Sequence, residues 1–296
     1  MEHSKKITVF TPTYNRASLI ENLYRSLQRQ TFTDFEWLVV DDGSEDSTAF
    51  LFEQWMQEGN PFPIHYVRQP NGGKCSAINH GLKLAQGLLF FTVDSDDYLT
   101  EDALEKVASW EAALPVGEKY CGVAGNLGTA RDQTPNSTLP EPYLDGTAFD
   151  RYGPVDGERA MVFYTEIHRA YPYPLFDNEK FMTEAVAWNR MAHDGYKMRF
   201  FNDIIWIYEY QDGGITRSGE EIFYRNPRGY GLFLKEKIQF FPYSFREKWD
   251  IRLSYIINVG DRYPTKLVAE SIGLPVLLVA VMKLLRQLKR RLTGKS

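Results

Sequence analysis

Leu88-Leu89-Phe90-Phe91-Thr92-Val93-Asp94-Ser95-Asp96-Asp97 is a short apolar run that ends abruptly in acid. Uncharged residues rich in aromatic and branched side chains suit a strand buried in a sheet. Three carboxylates within the four residues that follow repel one another near neutral pH unless a cation sits among them. A divalent metal is the simplest such cation, because the D-x-D spacing lets one or both carboxylates reach a hard metal directly or through its water shell. Taken alone, the same residues also suit a solvated turn whose aspartate caps the next helix. The neighbouring segments decide between the two readings.

Upstream, the chain repeats one pattern. Ile7 to Thr11 is a β-branched run that stops at Pro12-Thr13-Tyr14-Asn15-Arg16, and Leu19, Ile20, Leu23 and Leu27 then share a helical face. Phe35 to Val40 is a second apolar run, closed by Asp41-Asp42-Gly43-Ser44 and followed by Phe50, Leu51 and Trp55 at helical spacing. Ile64 to Val67 gives a third strand, Pro70-Asn71-Gly72-Gly73-Lys74 a loop, and Ile78, Leu82 and Leu84 with Ala77 and Ala85 a third helix. Strands alternating with helices predict a doubly wound, mixed but mostly parallel α/β sheet, with a Rossmann-like half that binds ligands at the carboxyl ends of its strands. The polar clusters after strands one, two and four all fall at that edge. No P-loop and no G-x-G-x-x-G follows the first strand, which disfavours a dinucleotide cofactor or a P-loop NTPase.

Length and composition fit a globular α/β protein of 296 residues. A net charge of −5 argues against a general nucleic-acid binder. Cys75 and Cys121 lie far apart with no C-x-x-C, so neither a disulfide framework nor a zinc site is indicated and a reducing cytoplasm fits. The first residues run into a strand without an apolar signal region, which argues against secretion. The five histidines show no paired spacing, so packing or surface roles are expected for each. Further along, a helix is expected from Asp102 to Leu114 and an apolar segment from Cys121 to Leu127. The Pro- and Gly-rich stretch Gly128 to Gly157 reads as an excursion facing substrate, and Arg159 to Ala170 as a strand pair or bent strand. Thr183 is expected to cap the helix that begins beside Glu184, and Lys197 to Tyr210 to form strand closing at Gln211-Asp212-Gly213-Gly214.

Four of these segments in this order, Thr11-Pro12-Thr13-Tyr14-Asn15-Arg16, Val39-Val40-Asp41-Asp42-Gly43-Ser44, Asn71-Gly72-Gly73-Lys74 with Asn79 beyond, and Val93-Asp94-Ser95-Asp96-Asp97, resemble the family-2 glycosyltransferases over roughly Ile7 to Thr216. The resemblance implies an inverting enzyme of GT-A fold that uses a nucleotide-diphosphate sugar and a divalent metal, Mn²⁺ or Mg²⁺. It implies that Pro12 and Tyr14 line the base and ribose site, that Asp42 accepts from a ring N–H, and that Lys74 approaches the diphosphate. Asp96 would ligate the metal, and Asp94 would orient the nucleotide sugar or reach the metal through water. Asp97 is expected to support the loop. Glu184 stands where the family places an acidic general base, with Glu where many relatives carry Asp, and Glu179 and Asp177 are the fallback acids. Uracil and guanine both offer an N–H to a carboxylate, and a UDP-sugar is the expected donor. The acceptor would be a hydroxyl of a glycan or lipid-linked molecule in surface polysaccharide synthesis. A nucleotidyltransferase would share the sheet and the carboxylates but needs a Gly- and Arg-rich first loop, which Pro12-Thr13-Tyr14-Asn15 is not. A non-catalytic nucleotide-sugar binding module is the third alternative.

The expected organisation is a GT-A domain over residues 1–217, with a nucleotide-binding half at 1–127 and an acceptor-side half at 128–217, followed by a helical region at 218–296. Ile272 to Leu285 is apolar except for Lys283 and precedes Arg286, Lys289, Arg290, Arg291 and Lys295. That run is too short to span a bilayer. A helix over 266–292 lying on an anionic cytoplasmic membrane surface is therefore expected, with a core helix ending in solvated cations, or a dimer contact, as the plainer alternatives.

Overall fold

The computed structural model describes residues 3–208 and 219–293. The turn expected at Gln211-Asp212-Gly213-Gly214, the boundary between residues 217 and 218, and Lys295 lie outside the described residues. The chain forms two compact units, Met1–Tyr173 with Ala187–Asp212, and Pro174–Val186 with Gly213–Ser296.

The first unit is built on one nine-stranded sheet. Its leading half holds β1 (Lys5–Thr13), β2 (Phe35–Asp41), β3 (Ile64–Arg68) and β4 (Gly87–Thr92), separated by α1 (Glu21–Gln28), α2 (Thr48–Gln57) and α3 (Lys74–Leu84). These four strands pair in parallel in the order β3-β2-β1-β4. All of β2 is buried, as a strand covered on both faces must be. Trp37 lies at the centre, stacked near Tyr24 at 6.0 Å and tilted against Phe52 at 5.1 Å, with its indole N–H donating to Thr11 Oγ1 at 3.0 Å. Chain order turns back at β1, since β2 and β3 lie on one side of it and β4 on the other. Such a switch point opens a crevice at the carboxyl ends of the strands.

Two helix faces differ from the sequence pattern. On α2 the buried face is Thr48, Phe52 and Trp55, and Phe50 is exposed. On α3 it is Cys75, Ala77, Ile78, Gly81 and Leu82, and Leu84 is exposed. Both helices are half apolar, so spacing alone gives more than one candidate stripe.

The second half of the sheet adds β5 (Tyr98–Leu99), β6 (Tyr120–Gly128), β7 (Tyr143–Gly146), β8 (Arg159–Tyr164) and β9 (Lys197–Ile207), with α4 (Ala103–Ala112), α5 (Thr165–Arg169) and α6 (Ala185–His193) between them. Here β6 and β9 are parallel, while β4–β8, β6–β8, β5–β9 and β7–β9 are antiparallel. The sheet is therefore mixed, and its parallel character is concentrated in the leading half. Arg159 to Ala170 is one strand followed by a short helix, not a strand pair. Thr165 anchors the change by donating its hydroxyl to the Gly87 carbonyl at 2.6 Å. Within the expected excursion, β7 adds to the sheet, and the buried Arg159 side chain is held by the Asn126 side chain and the Ser137 carbonyl.

His168, on α5, is buried among Phe90, Phe163 and Tyr173, with Nε2 3.1 Å from the Tyr173 hydroxyl. Burial disfavours its cation and lowers its pKa to about 3. A group whose pKa is depressed on folding contributes stability above its unfolded value, near 6.5, and that contribution is lost as pH falls towards 3. The wild type is expected to lose about 2 kcal/mol of unfolding free energy between pH 7 and pH 5 from this group. Urea melts at the two pH values compared with His168→Gln check it, because the variant should lack that increment.

The second unit is helical, with α7 (Glu221–Tyr224), α8 (Pro227–Phe240), α9 (Phe245–Val259), α10 (Thr265–Ile272) and α11 (Val276–Thr293). Pro227 occupies the first turn of α8, where its missing N–H costs nothing. A reciprocal Ser244–Glu247 capping box starts α9. The core is Leu234, Tyr255, Ile256, Val259, Val268, Ala269, Ile272 and Val279. The apolar run Ile272 to Leu285 is not one helix. Gly273, at a left-handed φ of 73° that disfavours side chains, ends α10, and the chain restarts at Val276 after a bend of 118°. No single helix among the described residues is long and apolar enough to cross a membrane.

Candidate active site

The loops after β1, β2 and β4 meet at one sheet edge because the strands are in register there. Thr13 pairs with Asp41, the Asp42 N–H donates to the Thr13 carbonyl at 2.8 Å, and the Val93 N–H donates to the Phe10 carbonyl at 2.8 Å. The first two loops are stitched together. The Asn15 N–H donates to Ser44 Oγ at 2.8 Å, and Asn15 Oδ1 accepts from the Glu45 N–H at 2.8 Å. Pro12 is half-buried at this edge and Tyr14 presents an exposed ring.

Asp42 is buried, and its carboxylate grips the loop that precedes α3. Oδ1 accepts from Gln69 Nε2 at 2.7 Å and the Gly72 N–H at 2.9 Å, and Oδ2 accepts from the Gly73 N–H at 2.7 Å. Gly73 sits at a φ of 89°, a conformation open to glycine, and directs its N–H to that oxygen. Three of the carboxylate's roughly four acceptor positions are thereby used. The family resemblance implied a base-binding role for Asp42; the sequence did not indicate that Asp42 shapes the Asn71-Gly72-Gly73-Lys74 loop, since its partners lie 27 to 31 residues further on. Asp41 is the deeper of the pair, accepting from the Ser44 N–H at 2.7 Å and from the Tyr66 hydroxyl.

The loop held by Asp42 delivers Lys74, whose ammonium lies 2.7 Å from Asp94 Oδ1. Arg16, from the first loop, lies 3.9 Å from Asp96 Oδ2. The acidic end of β4 thus has one cation from each flanking loop. Asp96 is half-buried, and desolvation, followed by the neighbouring charge of Asp94, raises its pKa. The Arg16 and Lys74 charges oppose that rise without cancelling it. Among the described residues no cluster of three or more His, Cys, Asp or Glu forms a closed cage. Two carboxylates with an electrostatic deficit at one of them do fit Mg²⁺ or Mn²⁺, which are commonly held by one or two carboxylates together with substrate phosphates. Asp97 turns away and accepts from the Trp206 indole N–H at 2.8 Å, tying the loop to β9.

Asn79 forms a two-way clamp with the backbone of Tyr173, donating to its carbonyl at 2.8 Å and accepting from its N–H at 2.9 Å. That clamp fixes the aromatic turn Tyr171-Pro172-Tyr173-Pro174. Nothing in the sequence spacing pointed to this partner.

Glu184 lies in the second unit, half-buried in the first turn leading into α6. Thr183 caps that turn, with Oγ1 accepting from the Ala185 N–H at 3.3 Å. Of the fallback acids, Glu179 is committed elsewhere: its two oxygens accept from the Arg228 and Gly229 N–H groups at 2.8 and 2.9 Å, capping α8. Asp177 is exposed.

This architecture, a parallel leading half whose β4 ends in an acidic pair, extended by a largely antiparallel half, is a GT-A fold. The family model "Glycosyl transferase family 2" matches residues 8–170, and the chain belongs to that family. Glycosyltransferase GlyA of Streptococcus pneumoniae is 24% identical over 230 residues, covering 73% of this chain and 32% of GlyA. The poly(ribitol-phosphate) β-N-acetylglucosaminyltransferase TarS of Staphylococcus aureus is 36% identical over 107 residues, 36% of this chain and 18% of TarS. This chain therefore spans a third or less of the length of these two relatives. The structure of TarS residues 1–349 with UDP-GlcNAc superposes with a TM-score of 0.61 at 19% identity, covering 88% of this chain and 82% of that one. A mannosyltransferase of Pyrobaculum calidifontis, with GDP-Man and Mn²⁺, gives 0.57 at 18% identity, covering 97% and 81%. At these identities the superpositions show the shared fold.

Proposed function

We propose that the chain is an inverting, metal-assisted glycosyltransferase that moves a sugar from a nucleotide-diphosphate sugar, with a UDP-sugar as first candidate, to a hydroxyl of a glycan or lipid-linked acceptor in cell-surface polysaccharide synthesis. The observation that carries this reading is the single sheet edge that gathers exposed Tyr14, the Asp42-held loop with Lys74, and the Asp94 and Asp96 pair. Complexes of UDP-GlcNAc and of GDP-Man with Mn²⁺ in proteins of the same fold support the donor class and the metal. The acceptor class is supported by the polymer named for TarS. Cys75 and Cys121 are free thiols, in keeping with a reducing cytoplasmic setting.

In this reading Pro12 and Tyr14 receive the base and ribose, with the Tyr14 ring offering a stacking face. The remaining acceptor position of Asp42 is available to a ring N–H. Asp96, with Asp94 beside it, would hold the divalent ion, which when bound offsets the charge that develops on the departing diphosphate. Lys74 adds a positive charge on the same side. Glu184 takes the proton from the acceptor hydroxyl as its oxygen bonds to the anomeric carbon and the bond to the diphosphate breaks.

Thermal melts with UDP, GDP, TDP and their sugars, with and without Mn²⁺, test the reading. A uridine nucleotide with Mn²⁺ is expected to raise the melting temperature, by the equivalent of about 2.7 kcal/mol at a hundredfold excess over Kd. If no nucleotide diphosphate stabilises the fold, the central claim is wrong.

A further inference from the structure

Helix α11 is amphipathic the wrong way round for a helix that meets only water. Its inward face is Val279, fully buried, with Met282, Lys283 and Arg286. Lys283 donates to the Tyr263 carbonyl at 3.1 Å, while Arg286 donates to the Ile257 carbonyl and lies 3.5 Å from Asp261. Lys283 and Arg286 are thus turned into the helical unit rather than out to solvent. The outward face carries Leu277 (77% exposed), Val281, Leu284 (56%), Leu285 (60%) and Leu288. At 100° per residue, Leu277, Val281, Leu284 and Leu288 fall within about 60° of one another, on the side opposite Val279.

The preceding helix shows that this exposure is particular to α11. Val268, Ala269 and Ile272 of α10 are all buried in the core of the unit. These side chains are thus used in packing within the unit. Between these two helices, among the described residues, the row of exposed apolar side chains is on α11.

Charge identifies what would cover it. From Ser271 to Ser296 the sequence has no Asp or Glu, and it carries Lys283, Arg286, Lys289, Arg290, Arg291 and Lys295. Four of these six follow the last exposed leucine. A face of leucines leading into an acid-free cationic end is complementary to an anionic lipid surface, with apolar side chains at the acyl boundary and cations at the headgroups.

We infer that α11 docks this chain flat on an anionic bilayer through Leu277, Val281, Leu284 and Leu288. The inference is independent of the glycosyltransferase reading, because it concerns the second unit alone and its readout uses no nucleotide. The test is flotation of the full chain with vesicles of phosphatidylcholine alone and with added phosphatidylglycerol. The full chain is expected to float with the anionic vesicles about tenfold more than with the neutral ones, and less at high salt. The triple variant Leu277→Ser, Leu284→Ser, Leu288→Ser should lose about tenfold of that binding while its melting temperature is unchanged, since all three side chains are exposed. Lys289→Gln with Arg291→Gln should reduce the preference for anionic lipid. A full chain that stays at the bottom of the gradient overturns the inference, as does a triple variant that floats like the wild type. Sedimentation that shows a dimer, separated by the same triple variant and indifferent to vesicles, would reassign the face to a contact between two copies.

Discussion

Asp96→Asn is expected to cut turnover by about 10³-fold, equivalent to about 4 kcal/mol of transition-state stabilisation, and to remove the Mn²⁺-dependent part of nucleotide binding. The substitution keeps the shape of the side chain and deletes only its charge. Asp94 keeps its Lys74 partner at 2.7 Å, so the local scaffold has no reason to move. Stability separates this outcome from damage to the fold. The pKa of Asp96 is raised by burial and by Asp94, so its contribution to folding is favourable only at low pH and is lost as pH rises through the folded value. At pH 7 the carboxylate is therefore a destabilising group, and Asp96→Asn should melt no lower than the wild type while losing activity. The adjacent acid should behave in the opposite way. Asp97 accepts from the Trp206 indole at 2.8 Å, so Asp97→Ala should cost about 1–3 kcal/mol of stability and leave Mn²⁺ dependence intact. Activity assays across a Mn²⁺ titration, paired with thermal melts of both variants, decide the assignment.

That contrast also marks what could be read in the sequence. The first four strands were legible because each is a continuous apolar run closed by a polar cluster, and a parallel sheet buried on both faces requires such runs. The meeting of Tyr14, Asp42 and Asp94 to Asp97 at one edge was legible for the same reason, since parallel strands in register end together. The partners of the polar side chains were not. Asp42 reaches Gln69, Gly72 and Gly73 across a turn whose shape depends on a positive φ at Gly73, and Asn79 reaches Tyr173 across ninety-four residues. Side-chain hydrogen bonds of this kind leave no periodicity. The helical stripes misread at Phe50 and Leu84 have a related cause: where apolar residues exceed what one face needs, only packing selects among them. The break after Gly273 was not read from the sequence, where one helix over 266–292 was expected, because the apolar run continues through it and masks that one side belongs to a core while the other faces outwards.

For Glu184 the sequence supplied a position and the structure a helix turn, so kinetics must separate a base from a helix-stabilising carboxylate. As general base, Glu184→Gln should lower kcat by about 10²–10⁴-fold while UDP and Mn²⁺ still raise the melting temperature, because donor binding does not use it. As a helix-stabilising group alone, Glu184 would contribute only about 0.3–1 kcal/mol through the first-turn dipole, and the variant would melt slightly lower with unchanged kcat. A binding module without catalysis would show Asp96→Ala weakening nucleotide binding and Glu184→Ala altering nothing. The neighbouring acids complete the comparison. Glu179 caps α8 through the Arg228 and Gly229 N–H groups, so Glu179→Gln should act on stability, and the exposed Asp177 can be replaced by Asn with little effect on either quantity. A loss of kcat confined to Glu184→Gln, with the nucleotide-induced shift retained, is the pattern expected of a proton acceptor at this position.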